Sequence, residues 1–120
     1  MRHVLVVDDE PDVCELIRVA LESRGYSVEA AHSSADAVKK LTAQHFDVAI
    51  LDYQMPQGDG IFLYNLLVSM HPGLASRVLF ITGVSSEPRL IQFLAQTGSP
   101  FLNKPFRIDE LLQTVGSLGK

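Results

Sequence analysis

The chain reads as an α/β fold, a five-stranded parallel sheet covered on both faces by helices. Three observations point there. Apolar runs of strand length alternate with stripes of helical period in the order βαβαβαβαβα, and right-handed crossovers then make the sheet parallel. The run Val48-Ala49-Ile50-Leu51 has no polar residue to turn toward water, which is the mark of a strand buried on both faces. Strands one, three, four and five end in Asp8/Asp9, Asp52, Thr82 and Lys104, at the carboxyl edge where open α/β sheets bind ligands.

The elements follow in order. His3 to Val7 is an apolar strand, and Glu10-Pro11 opens a helix, since a proline in the first turn lacks only an N–H that would be unpaired anyway. Val13, Leu16, Ile17, Ala20 and Leu21 form one apolar stripe, and Gly25 ends the helix. Tyr26 to Ala31 alternates with Ser27 and Glu29, as expected of an edge strand. Ser33 with Asp36 resembles an acidic capping box and starts a helix through Gln44. Asp47 to Asp52 is the inner strand, and the Pro and Gly residues after it turn the chain. A helix from about Gly58 to His71 carries apolar residues on more than one face, more in keeping with core than with docking, and Pro72-Gly73 stops it. Arg77 to Thr82 is the fourth strand. Ser85 or Ser86 caps a helix with Pro88 in its first turn, closed by Thr97-Gly98. Phe101-Leu102-Asn103 is a short fifth strand, and Ile108, Leu111, Leu112, Val115 and Leu118 mark a last helix.

Composition narrows the function. At 120 residues one domain spanning 1–120 is expected, because domains most often run to about 100–150 residues. A net charge of −4 argues against direct nucleic-acid binding, which needs a basic face. Cys14 is the only cysteine, so an intrachain disulfide or thiolate cluster is out of reach and a reducing compartment fits. No apolar run approaches the roughly 20 residues of a membrane span and no signal segment precedes the first strand, so a cytoplasmic location without membrane contact is expected. His3, His32, His45 and His71 have no ligand spacing and read as structural or surface residues.

Carboxylates gathered at one edge repel each other, by roughly 4 kcal/mol for a unit pair 4 Å apart at an effective dielectric of about 20. A positive group belongs among them. Mg²⁺ suits, with oxygen ligands at about 2.0–2.1 Å, several retained waters and one or two carboxylates; Asp9, Asp52 and a carbonyl such as that of Gln54 would hold it. A phosphoryl group could then approach Asp52, a carboxylate being a known nucleophile for acyl phosphates. Lys104 would neutralise its oxygens and Thr82 would donate a hydroxyl, since phosphoryl transfer is mostly positioning and charge stabilisation.

At these residues the chain resembles the receiver domain of two-component response regulators. The motifs are Val6-Val7-Asp8-Asp9-Glu10, Ile50-Leu51-Asp52-Tyr53-Gln54-Met55-Pro56 with Gly58-Asp59-Gly60, Ile81-Thr82-Gly83, and Phe101-Leu102-Asn103-Lys104-Pro105-Phe106. Each is weak alone; four in this order, each at a strand end, are specific. The resemblance implies a flavodoxin-like, doubly wound sheet with strand order 2-1-3-4-5, for which a chemotaxis regulator is a standard example. It implies Asp52 as phosphoacceptor, Asp9 as a direct Mg²⁺ ligand, Asp8 acting mainly through water, and the Gln54 carbonyl as a further ligand. Thr82 with Phe101 would be the switch pair, Lys104 the phosphate partner, and the Lys104-Pro105 bond cis. Partners would be a histidine kinase or histidine phosphotransfer protein and a downstream protein or output domain. Chemistry would be limited to self-phosphorylation and self-dephosphorylation rather than an enzyme's turnover of outside substrates.

Three departures matter. Phe101 stands where the family often has Tyr. Thr97-Gly98-Ser99-Pro100, Gly83 and Asn103-Lys104-Pro105-Phe106 look more like receivers of hybrid sensor histidine kinases. The fourth and fifth helices carry little charge beyond Arg89, Arg107, Asp109 and Glu110, so charge-paired dimerisation through them is not expected. Other readings compete. A phosphohydrolase forming an aspartyl-phosphate would want a second Asp where Gln54 stands and a cap over the site. A flavin module would need a hydroxyl- and Gly-rich loop where Asp8-Asp9-Glu10 would repel phosphate. A receiver-like module binding partners without phosphorylation keeps the fold and loses the chemistry.

Overall fold

The computed structural model describes residues 2–55, 59–84 and 86–118. Its elements are β1 (His3–Val7), α1 (Pro11–Glu22), β2 (Ser27–Ala31), α2 (Ser34–Ala43), β3 (Val48–Asp52), α3 (Gly60–Met70), β4 (Val78–Thr82), α4 (Pro88–Thr97), β5 (Phe101–Asn103) and α5 (Ile108–Leu118). All strands are parallel, in the order β2-β1-β3-β4-β5. β3 lies at the centre, and every one of its residues is buried.

Strand alternation divides the core into two layers. Val4, Val6, Val48, Ile50, Leu79 and Ile81 pack with Ile17 and Leu21 of α1 and Leu111 and Val115 of α5. Leu5, Val7, Ala49, Leu51, Val78 and Phe80 face the other way, onto Leu41 of α2 and Leu63 and Leu67 of α3. Helix α4 is held more lightly: Leu90 is its one fully buried residue and meets Tyr53 and Ile61.

The helix ends are where sequence and structure part. Helix α1 stops at Glu22, and Gly25, at φ +88°, lets the chain reverse so that the Tyr26 N–H returns to the Leu21 carbonyl, a turn that favours glycine. In α1 it is Cys14, not Leu16, that joins the core; Leu16 is 49% exposed, because the helix is rolled so that Cys14 faces Asp8 and Ala31. Ser33 does cap α2, accepting from the Asp36 N–H, and the helix ends one residue short of Gln44. Asp59 caps α3 by accepting from the Phe62 N–H, and the segment Pro72–Leu74 forms a single 3₁₀ turn rather than a bare stop. The N-cap of α4 is Glu87, with Pro88 first in the helix. Ser86 is therefore not the cap: it lies in the turn one residue too early, and Ser85, the other candidate, lies outside the described residues. Gly98, at φ +70°, closes α4 as expected. Ile108, the first residue of α5, is 36% exposed.

Gly60 has a role that turn propensity does not explain. A Cβ there would lie 2.9 Å from the Asp52 carbonyl oxygen and 3.1 Å from the Tyr53 Cα. The start of α3 is drawn onto the end of β3, and the Gly60 N–H donates to the Tyr53 carbonyl. No described helix is long and apolar enough to cross a membrane.

Candidate functional site

The carboxyl ends of β1, β3 and β5 converge on one ammonium group. Lys104 Nζ lies 2.9 Å from Asp8 Oδ2, 3.3 Å from Asp52 Oδ2 and 3.2 Å from Glu10 Oε1. Alternation explains the meeting: Asp8 continues the side of Val4 and Val6, Asp52 that of Val48 and Ile50, and Lys104 that of Leu102, all on the α1/α5 face. The bond from Lys104 to Pro105 is cis.

Asp8 is fully buried and Asp52 is 3% exposed. Asp8 Oδ1 accepts from the Glu10 N–H, and Asp52 Oδ1 from the Gln54 N–H. Burial pushes Asp52 up to about 7, the Asp8 charge adds to this, and Lys104 and the Gln54 N–H act against it. Burial also works against the Lys104 ammonium, but its contact with Asp8 and the Asp52 charge outweigh that and raise its pKa. One cation therefore serves a site with an excess of carboxylates.

The donor set fits a hard divalent cation. Asp8, Asp9 and Glu10 each offer an oxygen within 4.8 Å of the others. Buried Asp8 Oδ2 receives no well-aligned hydrogen bond, Lys104 being its ion-pair neighbour, so it keeps a lone pair for a further cation. Asp9 and Gln54 are solvent-facing and line a groove beside this cluster.

Thr82 and Phe101 lie elsewhere. Thr82 is fully buried and continues the side of Val78 and Phe80, the α3-facing layer. Its Oγ1 accepts from the Val84 N–H at 2.9 Å. Phe101 pairs in register with Phe80, so it shares the face of Thr82, and it is 41% exposed at the sheet edge. The carboxylates and lysine thus form one group and the hydroxyl and phenyl ring another, on opposite sides of the strand ends.

Glu10, read from the sequence as a helix opener and as part of the acidic Asp8-Asp9-Glu10 motif but given no role of its own, joins the site through its contact with Lys104. Sequence reasoning missed the pairs Tyr53–Glu87 and Arg89–Asp59, which no local pattern announces. The histidines read as structural or surface residues: His71 Nε2 meets the Leu41 carbonyl and His3 Nδ1 that of His45, while the His45 ring is exposed. Burial pushes the Cys14 thiol up to about 12, with the Asp8 charge adding to it, which makes it inert.

Comparison with known proteins gives a consistent picture. The family model for the response regulator receiver domain matches residues 4–116. Transcriptional regulatory protein GlrR of Escherichia coli (strain K12) is 34% identical over 113 residues, which make up 94% of this chain and 25% of GlrR. The chain thus spans a quarter of that relative. Among solved structures, the signal receiver domain of a signal transduction histidine kinase from Syntrophus aciditrophicus is 30% identical, with a TM-score of 0.85 and coverage of 99% of this chain and 90% of that one. TrrA from Thermotoga maritima, solved in complex with Mg(2+)-BeF, is 27% identical with a TM-score of 0.83, covering 98% and 99%. The chain belongs to the response regulator receiver domain family, the phosphorylation-controlled switches of two-component systems.

Proposed function

We propose that Asp52 is the phosphoacceptor, taking a phosphoryl group from a phosphohistidine of a histidine kinase or histidine phosphotransfer protein. The observation that carries this reading is the buried Asp52 carboxylate at the end of β3, 3.3 Å from Lys104 Nζ. In the transfer the phosphorus–nitrogen bond breaks, a phosphorus–oxygen bond forms on Asp52, and the imidazole nitrogen leaves with its electron pair. Lys104, released in part from Asp8 and Asp52, balances charge on the phosphoryl oxygens.

Asp8, Asp9, Asp52 and the Gln54 carbonyl would hold Mg²⁺, Asp8 through water. Bound there, the ion supplies charge neutralisation for an anion approaching a cluster of carboxylates. Thr82, whose Oγ1 accepts from the Val84 N–H, would donate its own hydroxyl proton to a phosphoryl oxygen, and Phe101, on the same face and half out in solvent, would follow it inward. The α4–β5 surface, where Ile91 is also exposed, would then present a different face to a downstream protein or output domain. Direct contact with nucleic acid would fall to an output domain, not to this acidic chain, and phosphoryl gain and loss at Asp52 would be its own chemistry.

Intact mass after incubation with a small acyl phosphate tests the reading. One phosphate adduct is expected, dependent on both Mg²⁺ and Asp52. An Asp52→Asn protein that gained the same adduct at this site would overturn it.

A further inference from the structure

Beside the acidic edge lies a groove of about 450 Å³, lined by Asp9 and Gln54 together with Tyr53, Asp59, Glu87 and Arg89. The last four make two bridges between the segment after β3 and the start of α4. The Tyr53 hydroxyl donates to Glu87 Oε1 at 2.5 Å, and the Arg89 guanidinium donates to Asp59 Oδ2.

Neither bridge serves α4 locally. Glu87 is the N-cap of α4 yet makes no capping hydrogen bond to its own helix. Arg89 sits in the first turn, the end of a helix dipole that disfavours a cation. Both side chains point instead across to the segment after Asp52, and Tyr53, 2% exposed, carries the contact to within one residue of the proposed phosphoacceptor. With Leu90 the single fully buried residue of α4, these bridges add to the packing of Leu90, Phe93 and Leu94 in holding the helix.

We infer that the two bridges form a clasp on α4 that opposes, and is opposed by, a divalent cation at the acidic edge. The inference rests on the cation site proposed above. A charge of +2 between Asp9 and Gln54 attracts the Glu87 and Asp59 carboxylates that line the same groove. It thereby competes with the Tyr53 hydroxyl and with Arg89, and it repels Arg89, the one cation lining the groove among the described residues. Linkage makes the effect reciprocal: a cation that loosens the clasp is bound more weakly, by the same factor, when the clasp is closed. Occupancy of the acidic edge thus reaches α4 through Tyr53 and Asp59, a route separate from Thr82 and Phe101.

The test is a Mg²⁺ titration followed by backbone amide shifts, with amide hydrogen exchange across α4, at fixed ionic strength because Arg89 is exposed. The proteins are the parent, Tyr53→Phe, Arg89→Gln and Asp9→Asn. In the parent, Mg²⁺ is expected to speed exchange in α4 about 3- to 10-fold and to leave β1 and β3 unchanged. Tyr53→Phe, which alters no charge, should bind Mg²⁺ about 3- to 5-fold more tightly and start with α4 already exchanging faster. Arg89→Gln should do both to a larger degree. Mg²⁺ binding in the parent without faster α4 exchange would overturn the clasp, as would a Tyr53→Phe affinity equal to or below the parent's. Mg²⁺ binding that is absent from the folded parent, or untouched by Asp9→Asn, would overturn the cation site itself.

Discussion

Replacing Asp52 by Asn should make the metal-free protein more stable at neutral pH, even though it removes the residue on which the chemistry is proposed to depend. An Asp52 pKa of about 7 against an ordinary 3.8 means that the folded chain holds this proton after the unfolded chain has lost it. Native stability therefore falls as pH rises from about 4 to about 7, and the full cost is present above that. At roughly 1.4 kcal/mol per pH unit, the separation sets an upper limit of about 4 kcal/mol. Asn keeps an acceptor for the Gln54 N–H but gives up the Lys104 ammonium, so a net gain of about 1–3 kcal/mol is expected at pH 8. Urea unfolding of both proteins at pH 4.5–8 (roughly half-unit steps) with a chelator isolates the effect, because other titrations cancel in the difference. Added Mg²⁺ should close the gap from the other side, stabilising the parent by about 2.7 kcal/mol at a hundredfold excess over its Kd and the variant by less. A difference that is flat across the window, or an Asn variant less stable than the parent at pH 8, would refute the reasoning about the buried carboxylate.

Three further outcomes follow from the same geometry. Lys104→Met leaves Asp8 and Asp52 facing each other without their shared cation, and should cost about 2–4 kcal/mol at pH 8 in chelator, with the deficit shrinking as pH falls through about 7 and Asp52 takes up a proton; a pH-independent loss would mean lost packing instead. Gly60→Ala gains helix propensity of about 1 kcal/mol but forces a methyl against the Asp52 carbonyl and the Tyr53 Cα, so a net loss of about 1–3 kcal/mol is expected in urea, and a neutral result would show that α3 can back away from β3. Cys14, 2% exposed with its thiol pushed up to about 12, should resist iodoacetamide at pH 8 for as long as the chain stays folded and react within minutes in denaturant; fast labelling of the native protein would place α1 on a less tightly packed footing.

What could be read from the residues was whatever the backbone ladder determines. A parallel strand buried on both faces must be apolar throughout, so Val48 to Leu51 identified itself. The charge that ended the run then located the ligand edge without any knowledge of strand order. That Asp8 and Lys104, 96 positions apart in the chain, share one edge was legible in the same way, whereas their direct pairing was not, since it depends on strand order and on which side of the sheet each strand end continues. The misreadings fall where several local solutions have similar free energy. A serine and a glutamate one position apart are both acceptable at the start of α4, and the choice went to Glu87 because its carboxylate reaches Tyr53 across the groove, a contact no local pattern encodes. The roll of α1 about its axis was equally open, since Cys14 and Leu16 both border the apolar stripe. The packing of Cys14 against the Asp8 and Ala31 carbonyls decided it.

Thr82 and Phe101 extend the same argument to the switch. Their placement on one face, opposite the side of Asp8, Asp52 and Lys104, follows from strand parity alone. A rearrangement triggered at the carboxylates therefore cannot reach Phe101 by simple contact along that face. It has to pass around the end of β4, through the segment after Thr82 whose Val84 N–H now holds the threonine hydroxyl. That hydrogen bond occupies only the acceptor side of the hydroxyl, while its proton, on a fully buried residue, needs an acceptor of its own or costs about 1–3 kcal/mol. Thr82 should therefore behave as a two-position group, its hydroxyl proton turned either toward a phosphoryl oxygen or away from it while Oγ1 goes on accepting from the Val84 N–H, and not as one that moves continuously with the charge on Asp52.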